Sequence, residues 1–352
     1  PQRKQLISAL QPTDEDIPVI SDATPNFNRV IKRVVGFSQG FDVVRHFLTS
    51  SRSKRSLEGA KKSKSPGEAE VARFVCFPSS LRAFVFLFMS IRLGVVSYLN
   101  TKPLVHAFEL GRIDHDFELV YDVPSVCARK LHDRETDVAL IPTIEIARAP
   151  EPYSVVPGVG IASRGPVRSV FLVFAKEPQD VRTVALDTSS RSSVALSRIL
   201  LEKHLGARIT ETIDAEPVVD EMLAKADAAV VIGDIALELD RSVYRVVDLG
   251  EAWTTWTGLP FVYACWTGRM GAIDEAGCSA LNKAKELGLA RVDDISHAYA
   301  SDHPHDPAFY EAYLTEAIHY DLGEPELEGM RRYYAYAEEL GLIDQAPEVT
   351  FY

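Results

Sequence analysis

The 352-residue chain contains only four cysteines, Cys76, Cys127, Cys265 and Cys278. None forms a CxxC pair and none has a histidine at zinc-ligand spacing. That excludes a disulfide framework and a structural zinc site of the usual pattern, and points to a reducing, cytoplasmic setting. There is no P-loop, no GxGxxG after a strand, no GxSxG elbow, no HExxH and no internal repeat. Nucleotide cofactors and serine-nucleophile chemistry therefore find no support, and neither a metal nor a cofactor is expected. His297, His303 and His305 lack metal spacing and read as solvated loop histidines. Long apolar runs are also missing. Leu81 to Met89 falls far short of the roughly 20 residues of a membrane helix. The opening residues lack the order of charged, apolar and small-residue regions of a signal peptide.

Apolar residues make up 46% and charged residues 25%, the balance of a globular protein long enough for two cores. The net charge of −12 is unevenly spread. Residues 1–88 carry 14 basic and 8 acidic residues, whereas the remainder carries 24 and 42, a balance of −18. An acidic body of this kind argues against a nucleic-acid partner. An anionic ligand would need a local set of donors, because the overall field repels it. Arg52 to Lys64 is rich in Ser, Lys and Arg without apolar periodicity, and reads as disordered. Met89 stands immediately before the first good strand. The expectation is that the working protein starts there, residues 1–88 being upstream sequence. A genuine basic extension that targets or docks the protein is the alternative.

From residue 91 strands and helices alternate, the pattern of βαβ units with a mainly parallel sheet. Ile91 to Val96 reads as a buried strand, and Val105 to Leu110 as a short helix with Pro103 in its first turn. Ser97 to Leu104 (SYLNTKPL) links them, so Asn100 sits where a strand ends and a helix begins. Ligands of open α/β folds bind there, although on spacing alone a plain helix cap is the commoner reading of Asn100. Phe117 to Tyr121 is a second strand, and Pro124-Ser125 opens a helix to about His132. Asp137 to Ile141 is a third strand, and its end loop offers Thr143. Ser169 to Ala175 is a strongly apolar strand with Ser169 at its entrance.

Another strand, Val181 to Leu186, runs into Asp187-Thr188-Ser189-Ser190-Arg191-Ser192-Ser193 and a helix to Leu205. Hydroxyls and free N–H groups at a helix start make an anion site, and Arg191 suits a carboxylate; a Ser-rich cap is the plainer alternative. Pro217 to Lys225 is a helix. Ala228 to Ile232 is a buried strand ending in Gly233-Asp234, where Gly233 admits close approach and Asp234 fits a cap. Trp253 to Pro260 (WTTWTGLP) is an aromatic loop suited to walling a pocket or to core packing. The chain is helical from Cys278, and Tyr333, Tyr334 and Tyr336 read as packing residues.

The run Gly94 to Leu104 (GVVSYLNTKPL) resembles the opening of the chorismate dehydratases of the futalosine route to menaquinone. DVALIP (137–142), SRSSVAL (190–196) and AAVVIGDIAL (228–237) follow in the order of that family. The resemblance covers about residues 91–343. It implies a two-lobed α/β fold of the type II periplasmic-binding-protein kind, with the ligand in the cleft between lobes. The expected lobes are 91–176 plus 261–345 and 177–260, with crossings near Lys176–Asp180 and Gly258–Phe261. The implied reaction removes water from chorismate to give 3-[(1-carboxyvinyl)oxy]benzoate.

On that resemblance Asn100 is the catalytic candidate. Ser97, Thr143, Ser169, Ser189, Ser190, Arg191, Ser192, Gly233 and Asp234 are the candidate substrate contacts. The general base is either Asp234 or the substrate's own enolpyruvyl carboxylate, positioned by Asn100. The sister 1,4-dihydroxy-6-naphthoate synthase, acting on cyclic de-hypoxanthine futalosine, and a non-catalytic solute receptor of the same fold are the alternatives. Two-lobed enzymes of this kind often form homodimers, although nothing in the sequence marks a dimer face. No membrane partner is expected.

Overall fold

A computed structural model describes residues 90–352. The readings of residues 1–88 lie outside the described residues. The first half runs β1 (Ile91–Val96), α1 (Lys102–Glu109), β2 (Phe117–Asp122), α2 (Pro124–His132), β3 (Val138–Pro142), α3 (Ile144–Ala147), β4 (Tyr153–Ser163) and β5 (Val170–Phe174). It continues through β6 (Thr183–Leu186), α4 (Arg191–Ile199), β7 (Glu211–Asp214), α5 (Val219–Leu223), β8 (Ala228–Ile232), α6 (Gly233–Leu237) and β9 (Arg245–Asp248). The last part is α7 (Leu249–Thr257), β10 (Phe261–Arg269), α8 (Glu275–Leu289), α9 (Val292–Ala300), α10 (Pro307–Ala312), α11 (Glu324–Glu339) and β11 (Thr350–Phe351).

These strands form two sheets, ordered β11-β4-β10-β3-β1-β2 and β7-β6-β8-β5-β9. Each has a parallel part built from βαβ units, in which β1 pairs with β2 and β3, and β6 with β7 and β8. Each also has antiparallel strands: β10 lies between β3 and β4, and β5 between β8 and β9. The sheets are thus mixed, because strands that cross between lobes return against the βαβ direction. The sheets divide the described chain into two lobes. β5 belongs to the second sheet. The first crossing therefore precedes β5, near 164–169, and does not follow it at Lys176–Asp180 as the sequence suggested. Residue 176 is not the lobe boundary, since the apolar run at 170–174 completes lobe two by pairing with β8. The return to the first sheet runs through Gly258-Leu259-Pro260 into β10.

Two other readings change. Trp253 to Thr257 is not a loop but the end of α7. Asp248 caps this helix by accepting from the amides of Gly250 and Glu251, and Gly258, at φ +73°, ends it. Trp253 is fully buried and donates from its indole to the Pro260 carbonyl at 3.0 Å. It meets Phe261 edge-to-face, and Phe261 meets Tyr333 in the same way. The aromatic stretch is therefore core. His297 lies on α9 rather than in a loop, whereas His303 and His305 follow it in irregular chain.

Lobe one packs α8 against α1 with no room between backbones. A Cβ built on Gly288 would lie 1.8 Å from the Pro103 carbonyl oxygen. Glu145 on α3 braces α4 against lobe one. Its side chain is 3% exposed and meets Arg191 at 2.5 Å, Arg148 at 3.3 Å and His132 at 3.4 Å. Burial alone would raise the Glu145 carboxyl. The His132 hydrogen bond and the charges of Arg191 and Arg148 outweigh it and hold the group below its ordinary value.

Two expectations follow from this packing. Gly288→Ala should destabilise the protein by about 3 kcal/mol in denaturant titration, because backbone must move to admit the methyl group. A depressed carboxylate stabilises the fold above its unfolded pKa, and that contribution is lost as pH falls through the lower native value. Both arginines are more than a third exposed, so the loss is discounted for solvent screening. Glu145→Gln should cost about 2 kcal/mol at pH 7. The gap between the two proteins should narrow as pH falls below the ordinary glutamate range and through the depressed native pKa, where the native carboxylate is also protonated.

Candidate functional site

A cavity of about 40 Å³ lies between the lobes, at the carboxyl ends of β1, β3 and β8. Asn100, Ser169, Ser190, Ser193, Tyr98 and Tyr263 supply its polar surface. Pro124, Pro142, Ile161, Val167 and Ile232 supply apolar walls, and Gly233 backbone completes it. Among the described residues, no Asp, Glu, His, Lys or Arg lines this cavity. Burial raises the Tyr98 phenol to about 12, against the opposing effect of its bond to Ser189, and lifts Tyr263 well above its ordinary value. Every polar side chain facing the cavity is therefore neutral near pH 7.

The β1–α1 link forms a single 3₁₀ turn, Leu99–Thr101, before α1. That turn places Asn100 at the cavity, with its Oδ1 3.4 Å from Thr101 Oγ1. Tyr313, fully buried in lobe one, donates to Ser169 Oγ at 2.9 Å. Its hydroxyl also takes a hydrogen bond from the Asn100 side chain, which lowers the phenol against the larger upward push of burial. Asn100 and Ser169 thus meet one phenol, and with its oxygen already accepting from Thr101, Asn100 keeps one N–H donor and one oxygen lone pair for a ligand. Tyr313 begins a π-helical turn, Tyr313–Ala317. Such turns often mark functional sites. Sequence reading missed it because it stands far down the chain with no motif around it.

Across the cleft, α4 presents its first turn. Ser190 occupies the N-cap position, and its Oγ lies 3.1 Å from Ser193 Oγ. The amides of Arg191, Ser192 and Ser193 belong to a first turn, where no i−4 carbonyl exists to accept them. Together with the helix dipole they favour an anionic group at this end of the cavity. Ser193 stood within the SRSSVAL motif but was not singled out. Tyr98 and Tyr263 were missed too, the first because the motif drew attention to Asn100.

Of the sequence candidates, the structure brings Asn100, Ser169, Ser190 and Gly233 to the cavity. Ser169 comes from the start of β5 in lobe two, not from lobe one. The others go elsewhere. Ser97 is exposed and donates to the Asp122 carbonyl at 3.3 Å. Thr143 is fully buried and donates to the Val262 carbonyl at 2.9 Å. Ser192 accepts from the Ile144 amide at 3.1 Å, and Arg191 takes Glu145 as its carboxylate. Ser189 accepts from the Tyr98 hydroxyl at 3.0 Å. Asp234 accepts from the Leu99 amide at 3.1 Å and is absent from the cavity wall. A general base at Asp234 is not what this geometry offers. Among the described residues no group of His, Cys, Asp and Glu could hold a metal ion, and no helix is long and apolar enough to cross a membrane.

Comparison with known proteins agrees with this architecture. The Thermus thermophilus chorismate dehydratase is 29% identical over 269 residues, covering 71% of this chain and 95% of that enzyme. A solved Archaeoglobus fulgidus protein superposes with a TM-score of 0.61 at 17% identity, over 72% of this chain and 98% of that one. A Candida albicans protein described as having the generic periplasmic-binding-protein fold matches with a TM-score of 0.51 at 12% identity, over 73% and 92%. The fold is thus the two-lobed periplasmic-binding-protein-like one. A family model described as menaquinone biosynthesis matches residues 91–339, and the chain belongs to that family.

Proposed function

We propose that the protein is a chorismate dehydratase, a hydro-lyase that converts chorismate to 3-[(1-carboxyvinyl)oxy]benzoate and water. The relative from Thermus thermophilus bears that name. The observation that carries the reading is the neutral cavity between an amide and a helix N-terminus. A dianionic ring substrate needs donors without a competing carboxylate, and the first turn of α4 with Ser190 and Ser193 supplies them for one carboxylate. Apolar residues such as Ile161, Ile232 and Pro142 suit the ring faces.

The reaction removes the proton from the ring carbon bearing the enolpyruvyl ether. The electron pair enters the ring, the C–O bond to the neighbouring hydroxyl breaks, and the ring becomes aromatic. No protein group in the cavity can take that proton at neutral pH. The enolpyruvyl carboxylate of the substrate is therefore the base, and Asn100 orients it or the departing hydroxyl with its amide. Aromatisation drives the step, so the enzyme's contribution is positioning and charge stabilisation.

Incubation of the full chain with chorismate, followed by chromatography and mass analysis, should give a product lighter by one water. Asn100→Ala should lower kcat by about 100-fold, the usual cost of losing one oriented donor in a water-poor site. Full turnover by that variant would remove Asn100 from the mechanism. Binding of chorismate without turnover would make the protein a solute receptor. Carboxylates titrate near pH 4 and the cavity's phenols above pH 10. The rate should therefore be flat from about pH 6 to pH 9. An inflection near pH 6.5 would reveal a histidine base that this geometry does not contain.

A further inference from the structure

The two lobes touch directly beside Asn100. Leu99 opens the 3₁₀ turn, and its amide has no acceptor within its own segment, because the residue at the N-cap position is Tyr98. The Tyr98 hydroxyl is committed to Ser189 of lobe two at 3.0 Å. The missing cap comes instead from the opposite lobe. Asp234 Oδ1 and Oδ2 lie 3.1 Å and 3.4 Å from the Leu99 amide nitrogen. The approach is fixed by Gly233, at φ +70°, where a Cβ would stand 3.0 Å from the Tyr98 ring. A side chain there would be strained by the backbone and would push the ring away.

The cavity volume decides when this contact forms. About 40 Å³ holds on the order of three waters, far less than a substituted ring with two carboxylates. Ligand access requires the lobes to part, and parting them removes Asp234 from Leu99. Hinged closure is the ordinary motion of two-lobed folds. Here it would also complete the helix turn that carries Asn100.

We propose that Asp234 is a positioning residue: on closure its carboxylate caps the Leu99 amide and so sets the Asn100 turn for chemistry. The inference rests on the dehydratase reading for its kinetic test only. The charged and titratable groups facing Asp234 are Tyr299 on α9, His303 after it, and Glu238 next to its own helix. Tyr98, Tyr310 and Tyr313 lie within its field. Tyr299 stacks on His303, with ring centroids 3.6 Å apart. Burial raises the Asp234 carboxyl, against the Leu99 amide, the Tyr299 hydroxyl and His303, which lower it.

A capping role and a proton-accepting role separate cleanly by substitution. Asp234→Asn keeps an acceptor oxygen for the Leu99 amide but cannot take a proton. It should retain kcat within about 5-fold of the parent. Asp234→Ala removes the cap and should lower kcat about tenfold or more with a smaller change in KM, while the thermal midpoint stays within a few degrees. If the alanine variant does not fold, Asp234→Ser, too short to reach the amide, replaces it. An activity-independent measurement accompanies the kinetics. Met270 and Val243 are exposed on opposite lobes, and Cys127, Cys265 and Cys278 are buried. Full-length protein carrying Met270→Cys, Val243→Cys and Cys76→Ser can therefore take two spin labels. Pulsed distance measurement should give one short distribution for the parent and for Asp234→Asn, and a longer, broader one for Asp234→Ala. Parent-like kcat and distances in the alanine variant would overturn the proposal. An asparagine variant as inactive as the alanine variant would overturn it in favour of proton transfer. Should the parent not turn over chorismate at all, the distance distributions still decide the cap, and only the assigned reaction fails.

Discussion

The architecture depends on one carboxylate at the crossing between the lobes. Asp248 accepts from the amides of Val167 at 3.0 Å, Arg168 at 2.7 Å, Gly250 at 2.9 Å and Glu251 at 3.1 Å. Two of these amides belong to the first crossing and two to the start of α7. A single side chain therefore satisfies four backbone donors that no sheet or helix could serve. Arg168 is held at φ +62°, a left-handed conformation unusual for arginine. Ser169 follows at once and meets Tyr313 and the cavity. Gly250 is obligatory here, since a Cβ would lie 2.6 Å from both the Gly165 carbonyl and Ser163 Oγ. The position of Ser169 is thus a consequence of how the chain passes between its lobes.

The acidic balance of residues 89–352 and the neutrality of the cavity are two sides of one arrangement. Three carboxylates near the cleft are committed to backbone amides or arginines. Asp248 holds the crossing, Asp234 the Leu99 amide and Glu145 the base of α4. With these charges turned away, the field at the cavity is set by peptide dipoles and hydroxyls. On the proposed reading, this lets an acidic protein accept an anion: short-range N–H donors at α4 act where long-range repulsion is screened.

Much of the fold was legible from residues 91 onward because βαβ units announce themselves. Ile91 to Val96 and Ala228 to Ile232 were read at the bounds the structure gives, each being an apolar run stopped by a turn. The 11-residue β4 carried no such signal, since Pro157 and Gly158 break its pattern. α7 was mistaken for a loop because Thr and Trp weaken helix propensity, while the Asp248 cap and core burial override that preference. The crossing was misplaced because a strand ending in Lys176-Glu177-Pro178 looks like the close of a lobe, whereas its partner β8 lies more than fifty residues ahead. At the site, residue type was informative but direction was not. Ser190 and Ser192 are neighbours of identical chemistry, yet one faces the cavity and the other braces α3. Helix geometry rotates successive residues by about 100°, so a hydroxyl-rich cap always divides its members between ligand and scaffold. Only the pairing of lobes decides which is which.

On the proposed reading, the same division explains how a binding-protein architecture could carry out an elimination without a protein base. A receptor needs donors and shape, and closure around the ligand supplies both. An elimination that ends in an aromatic ring needs little more, if the base travels with the substrate. Its geometry must then be enforced, because an acid group free to rotate would seldom meet the ring proton. Asn100 is suited to that duty by being held from two directions. Tyr313 engages its side chain from within lobe one, and the Leu99 cap reaches its backbone from lobe two. A carboxylate meets the backbone of the turn, and the neutral amide lines the cavity. In this protein, the ionisable residues beside the cavity serve geometry, and peptide and amide dipoles line the space proposed for the substrate.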